Sequence, residues 1–181
     1  FNLILKSHDE IHLDDLNIDN YRIYFNPKKK IYINKNKKIK LSFSGVLNNY
    51  RFNILKDICK VKNNFFDYSE IENIIKLKKN RFIRKRIDKN ICSLHIQKSK
   101  NWKYSSPTRY FNSINKNEIP LIINNNFKDL ESQLLTVKKD FLEIKNYNDL
   151  SREIVKLNNN ILIFKNIVKK KEKLILKKIL T

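Results

Sequence analysis

Short apolar runs alternate with segments of helical spacing from residue 39 onward, and this alternation constrains the fold more than any other feature. The runs are rich in β-branched residues and bounded by polar ones, as is typical of buried strands; they are residues 39–45, 91–97 and 119–123. Residues 50–61, 68–87 and 106–117 carry helix signals between them. The order predicts an α/β domain, Rossmann-like and three-layered, with a mainly parallel sheet.

Capping residues and apolar spacing refine these helices. Asn48 or Asn49 is the expected N-cap of the first helix, and Ser69 with Glu72 predicts a capping box at the start of the second. Ser106 is the expected N-cap of the third. Towards the end of the chain we predict a short helix, a strand and two further helices, at residues 127–137, 139–144, 147–160 and 161–180.

The beginning of the chain is organised differently. A β-rich run at residues 21–25 ends at Asn26-Pro27, and the Lys- and Asn-rich residues 27–38 are predicted to form a linker. The 181 residues suit one ordinary domain, or one domain with a fragment of a neighbour. The sequence opens on Phe1 and contains no Met, so we expect a fragment of a longer protein.

The charge balance leaves two interpretations open. The chain has 39 Lys and Arg residues against 18 Asp and Glu, a formal net charge of +21. Such an excess is typical of a nucleic-acid or anionic-membrane partner. However, Lys, Asn and Ile are abundant throughout while Gly occurs once, as an AT-rich genome would produce. Because the Lys residues are scattered through every segment, the pattern favours compositional bias over nucleic-acid binding.

The cysteine and histidine residues bear on the redox compartment and on metal binding. Cys59 and Cys92 lie in apolar contexts, which is typical of buried free thiols in a reducing compartment and predicts a cytoplasmic protein. His8 and His12 are spaced to share one helix face, but no third ligand is identifiable, so no metal site is predicted. No apolar stretch is long enough to predict a transmembrane helix.

The loops that follow predicted strands are the places to look for a ligand, because parallel sheets bind ligands at the carboxyl ends of their strands. Gly45, the single glycine, ends the first strand; a positive φ, a close approach or an ordinary turn would each explain it. Arg51 follows six residues later, in the first turns of the next helix. Its guanidinium suits a phosphate, although a surface Arg on an amphipathic helix is the plainer alternative.

A second candidate lies in "YSSPTRYFNSINKNEIPLI", residues 104–122. Ser105 and Ser106 place hydroxyls at a helix start, Arg109 lies one turn inside, and Asn112 follows on the same face. Helix N-termini with a nearby cation bind anions, so this is a generic anion site. Trp102, just before it, is suited either to stacking on a base or sugar or to anchoring the loop.

Together these segments resemble the C-terminal, donor-binding half of GT-B glycosyltransferases, close to the glycosyltransferase group 1 type. Such halves carry a strand ending in Gly with Arg or Lys six residues on, as Gly45 and Arg51 are here. They later carry the pattern P-x-K-x-x-E-x-x-x-x-G-x-P-x-x. The matching residues are Pro107, Arg109, Asn112, Asn117 and Pro120. The resemblance covers residues 39–178, and "YRIYFNP" resembles the end of the preceding half.

The resemblance implies a role for each candidate. Arg51 would meet the donor diphosphate, and Ser105, Ser106 and Arg109 would surround the phosphates or the nucleotide. Asn112 stands where the family has a Glu that holds ribose hydroxyls, and an amide lacks the charge-assisted strength of that carboxylate. Asn117 replaces a Gly, and Asn is the next best residue at a left-handed helix cap.

The expected function is therefore metal-independent transfer of a glycosyl group, of the hexosyl type, from a nucleotide-diphospho-sugar. The acceptor, a glycan, lipid or protein, is not identified, and no cofactor is expected. Residues 39–181 would bind the nucleotide sugar, 27–38 would be the linker, and 1–26 a remnant of the preceding half. A general base would normally come from the missing part of that half, so the fragment alone is expected to bind a donor weakly at best and to catalyse nothing.

Two alternatives stay open: a basic module that binds nucleic acid or an anionic surface, and a non-catalytic homologue. Nucleic acid is the less favoured partner. The Lys-rich terminal helix also leaves open a peripheral contact at the inner face of the membrane.

Overall fold

The computed structural model describes residues 30–78, 81–82, 90–102, 107–123 and 129–180. Four parallel strands form its main sheet: β1 (Ile39–Phe43), β3 (Phe66–Asp67), β5 (Ile91–His95) and β6 (Ile119–Ile122). Their order across the sheet is β3-β1-β5-β6. Two further strands, β2 (Gly45–Val46) and β4 (Arg81–Phe82), pair antiparallel as a short ribbon after β1.

Helices flank the sheet and complete the Rossmann-like three-layer fold, which confirms the predicted fold class. In the described ranges they are α1 (Asn49–Lys60), α2 (Ser69–Leu77), α3 (Pro107–Asn115), α4 (Leu130–Leu134), a 3₁₀ helix (Lys139–Glu143) and α5 (Tyr147–Leu180). Helices α1 and α2 pack against each other and α2 against β1, while α3 packs on β6 and α4 contacts both α3 and α5. Both faces of the sheet are covered, which explains why its strands are continuous apolar runs.

The chain changes direction between β1 and β5. From β1 it passes through α1 to β3 on one side, and after β3 it returns past β1 to β5 and then β6 on the other side. The crossovers that leave β1 and β5 therefore run in opposite directions. In open parallel sheets this arrangement creates a crevice at the carboxyl ends of the two strands, where ligands bind.

Two predictions about the second helix are wrong. Helix α2 ends at Leu77 instead of continuing to residue 87, because Lys78 adopts a left-handed conformation (φ +47°) and its N–H bonds back to Ile74. Arg81 and Phe82 then pair as strand β4. The capping box is absent, because Ser69 is already helical and its predecessor Tyr68 makes no side-chain cap bond.

The end of the chain also differs from the prediction. The predicted strand at 139–144 is a 3₁₀ helix, in which the consecutive Phe141 and Leu142 are both buried, whereas a strand would point them to opposite faces. The two predicted final helices are one helix, α5. Its buried stripe continues without a break past the three Asn residues 158–160, through Leu157, Ile161, Phe164 and Val168.

The described part of the predicted linker, residues 30–38, packs on the domain. Ile31 is buried in the core. The side-chain amide of Asn158 accepts from the Ile31 N–H (2.9 Å) and donates to its carbonyl (3.0 Å). Asn117 pairs with the backbone of Tyr32 in the same way, at 3.0 and 3.4 Å. Two amide side chains from distant elements therefore hold this segment in place.

Candidate functional site

Arg51 joins the two loops that meet at the crevice. It lies in the first turn of α1, where its N–H donates to the side chain of the N-cap Asn48 (3.0 Å). Its side chain is only 6% exposed. Nη1 donates to the carbonyl of Val46 after β1 (2.8 Å), and Nε donates to the carbonyls of Ile96 and Gln97 after β5 (3.1 Å each). One guanidinium thus fixes the loops after both central strands, and Nη2 keeps no hydrogen-bond partner among the described residues.

Gly45 supports this arrangement through its backbone. Its φ of +147° is a conformation that residues with a side chain rarely adopt. A Cβ built at this position would lie 3.6 Å from Nη1 of Arg51, an ordinary van der Waals contact. Of the explanations for the single glycine, the positive φ is therefore confirmed. The two residues paired by their sequence spacing, Gly45 and Arg51, are neighbours in space.

A second cation lies close to the first. Burial lowers the pKa of the Arg51 guanidinium, and the positive charge of Arg109 on α3 lowers it further. Arg109 itself is exposed. None of the ion pairs between described residues includes either guanidinium. The two guanidiniums are therefore within electrostatic reach of each other, and Arg51 lies in the first turn of α1, whose N-terminus also favours an anion.

Gln97 is a site residue that the sequence did not single out. Its Nε2 donates to the hydroxyl of Tyr50 (2.8 Å) and to the carbonyl of Lys100 (3.3 Å), while its Oε1 is buried and has no hydrogen-bond partner among the described residues. Unpaired buried acceptors are rare in folded proteins and costly. The one signal available was position, since a polar residue directly follows a buried strand.

His95 is part of the support beneath the crevice. Its Nε2 lies 3.3 Å from the hydroxyl oxygen of Ser113, which itself donates to the carbonyl of Arg109 (3.0 Å). Its ring packs edge-on against Tyr110, with the centroids 4.7 Å apart. Burial lowers the pKa of His95 to about 3, and the charge of Arg109 contributes. A neutral His95 therefore attaches β5 to α3, the helix that carries Arg109.

The remaining candidates from the sequence are Ser105, Ser106, Asn112 and Trp102. Ser105 and Ser106 lie outside the described residues. Asn112 is exposed on α3, and no described contact joins its side chain to Arg51 or Arg109. Trp102 is also exposed, in the loop after β5, so its ring is accessible to a ligand.

Two details bear on the family pattern. Asn117 adopts the left-handed conformation expected of a residue standing for Gly (φ +60°). Pro120 follows it by three residues, whereas the family pattern leaves only two. The pattern is therefore matched in its helical part and shifted by one residue at the strand.

Neither a cluster of metal ligands nor a helix able to span a membrane occurs in the described ranges. These ranges contain no group of three or more His, Cys, Asp or Glu residues placed to hold a metal ion, and the candidates His8 and His12 lie outside them. Within the same ranges no helix combines the length and apolar character needed to cross a membrane.

The positive charge of this arrangement favours an anion, and a phosphate matches its chemistry. An exposed guanidinium, a buried guanidinium and a helix N-terminus are groups that proteins use for phosphate. Comparison of the chain with protein-family models, with curated proteins and with solved structures finds no match.

Proposed function

We propose that the crevice at the carboxyl ends of β1 and β5 binds the diphosphate of a nucleotide sugar, and that the chain is the donor-binding part of a glycosyltransferase. The observation that carries this proposal is the position of Arg51. It lies at the point where the sheet reverses its winding, bonded to both central loops and within electrostatic reach of Arg109.

The two guanidiniums have different tasks in this proposal. Arg109 is exposed, so it contacts the phosphate oxygens directly. Arg51 is already bonded to three carbonyls, so it holds the loops in position and adds positive potential from below. As the sugar leaves, both charges stabilise the negative charge that grows on the diphosphate. No metal is needed for that step.

The rest of the donor would contact neighbouring groups. The exposed ring of Trp102 is suited to stacking on the base or the sugar. Asn112 would bond to ribose hydroxyls more weakly than a carboxylate does. Because of this substitution, a non-catalytic homologue stays the alternative. Donor binding without transfer of the sugar would indicate it.

Titration calorimetry of the 181-residue chain with UDP, GDP and their sugars tests the proposal. We expect saturable binding that is weakened at least about tenfold in Arg109→Gln, the loss of one charge-assisted phosphate contact. Arg152→Gln is the matched control, because Arg152 is also exposed but lies on α5. Binding of none of these ligands, or equal weakening by both substitutions, would contradict the proposal.

Titration of the same 181-residue chain with an oligonucleotide tests the nucleic-acid alternative. A single-stranded oligonucleotide held by scattered lysines should lose affinity steeply with salt and be indifferent to Arg109→Gln. Tight oligonucleotide binding of this kind, without nucleotide-sugar binding, would favour the basic-module interpretation.

A further inference from the structure

The side-chain amide of Gln97 lies between the first turn of α1 and the loop of residues 98–102. Its Nε2 donates to the hydroxyl of Tyr50 in that turn and to the carbonyl of Lys100 in the loop. The backbone carbonyl of Gln97 accepts from Nε of Arg51. Gln97 is therefore held next to the N-terminus of α1, at the crevice.

These contacts fix the orientation of the amide. The carbonyl of Lys100 is an acceptor, so the group that faces it must be the Gln97 NH2 and not Oε1. Both hydrogens of Nε2 are then in use, one towards Tyr50 and one towards Lys100. Oε1 is left without a donor among the described residues, although Gln97 is only 4% exposed.

A second bond keeps the loop against the helix. The side chain of the N-cap Asn48 donates through Nδ2 to the carbonyl of Lys98 (2.7 Å), while its Oδ1 accepts from the Arg51 N–H. The loop and the helix start thus form one wall beside Oε1. A buried acceptor without a donor costs free energy, and folded proteins keep few of them. Its place at the carboxyl end of β5, where parallel sheets bind ligands, points to a ligand as the source of the missing donor.

We propose that Oε1 of Gln97 accepts a hydrogen bond from the ring N–H of a uracil or guanine base, which makes Gln97 a specificity-determining residue for the donor. This inference rests on the proposed function, because it takes the ligand of the crevice to be a nucleotide. Uracil and guanine each carry a ring N–H on the edge that proteins read by hydrogen bonds. That N–H supplies the donor that Oε1 lacks.

The same loop offers a surface for the face of the base. The ring of Trp102 is exposed, and the Trp102 N–H donates to the carbonyl of Ser99 (3.1 Å), which closes a turn within the loop. Proteins commonly bind single bases by stacking them on an aromatic ring and reading their edges with polar side chains. One loop and the residue before it provide both kinds of group here. This favours a base over a ribose hydroxyl as the source of the hydrogen.

Titration calorimetry of the 181-residue chain with UDP and with 3-methyl-UDP tests the proposal. Both ligands carry the same diphosphate, but a methyl group replaces the ring N–H in the second. We expect UDP to bind at least about tenfold more tightly, as for one hydrogen bond to a buried acceptor. Gln97→Met should bring this ratio close to one. Because Met keeps the volume of Gln, a purely steric penalty on the methyl group would persist in that variant.

Gln133→Met is the matched control, since Gln133 is exposed on α4, and it should keep the full ratio. If Gln97→Met binds neither ligand, Gln97→Asn replaces it, because the shorter side chain withdraws the amide from the base.

The outcomes separate this inference from the proposed function. Equal binding of UDP and 3-methyl-UDP by the parent chain overturns the role of Gln97 and leaves the proposed function standing. The same ratio in Gln97→Met as in the parent chain does likewise. Absent binding of both UDP and pyrophosphate overturns both. A preference for UDP over 2′-deoxy-UDP that Gln97→Met abolishes would assign Oε1 to a ribose hydroxyl and overturn its assignment to the base.

Discussion

Arg51 and Arg109 carry the same charge in opposite environments. We therefore give Arg51 a structural role and Arg109 the contact with the ligand. Arg51 is buried and donates hydrogen bonds to three carbonyls, whereas Arg109 is exposed on α3. A substitution of Arg51 therefore changes the loops as well as the charge. Loss of ligand binding in such a variant says little about phosphate contact, so Arg109 is the better residue to probe.

Arg51→Met should lower the free energy of unfolding by about 2–3 kcal/mol, because the aliphatic stem is kept while three carbonyls lose their donor. Arg109→Met should change it by less than about 0.5 kcal/mol, as exposed substitutions usually do. Urea denaturation of the three proteins measures both values. Equal stability of the two variants would contradict the structural role given to Arg51.

His95 should make the fold sensitive to mild acid. Its pKa is about 3 in the folded protein against an ordinary 6.5, so below pH 6.5 the unfolded chain binds a proton that the folded protein does not. Stability is therefore fully present above pH 6.5 and falls as the pH decreases, by about 2 kcal/mol between pH 7 and pH 5. His95→Gln should remove this component, as urea unfolding at several pH values would show. An identical pH dependence in both proteins would contradict it.

At the scale of elements, the amide side chains that hold residues 30–33 explain two features of the sequence. Asn117 stands where the family pattern has Gly; it keeps the left-handed conformation and also bonds to Tyr32. Asn158 sits among three consecutive Asn residues that looked like a helix break, yet its side chain serves Ile31 while the helix continues. The sequence does not reveal these roles, because the partners of Asn117 and Asn158 lie 85 and 127 positions away.

Asn158→Ala should lower the free energy of unfolding by about 2 kcal/mol, because it leaves the N–H and carbonyl of buried Ile31 without partners. Asn117→Gly keeps the backbone conformation and exposes the Tyr32 groups to water, so it should cost less than about 1 kcal/mol. Thermal or urea unfolding ranks the two. The reverse order would contradict the assignment of Asn158 as the main support of the segment.

At the scale of the whole molecule, the sequence was sufficient for the class of fold. Apolar runs and capped helices predicted β1, β5, β6, α1 and α3 because their signals are local. The two-residue strands β3 and β4 were missed, since their pairing with β1 and β2 is set by the sheet and not by local pattern. The same limit applies to the crevice: Gly45 and Arg51 were predicted, but Gln97 becomes a site residue only through the contacts of its loop.

The topology brings together residues that are far apart in the sequence. Loops after β1 and β5 meet because the winding reverses between them, and Arg51 bridges the two. A phosphate-bearing ligand should therefore affect both loops at once and leave the exposed side of α5 unchanged.

Nitrogen-15 NMR of the 181-residue chain during titration with UDP measures this most directly. We predict saturable shifts of the Arg51 Nε–H signal, the Gly45 amide and the Gln97 side-chain amide with one common dissociation constant, and unchanged signals for the exposed Val155 and Leu162 of α5. Shifts confined to the exposed lysines of α5, or no saturable shift at Arg51 and Gln97, would contradict it.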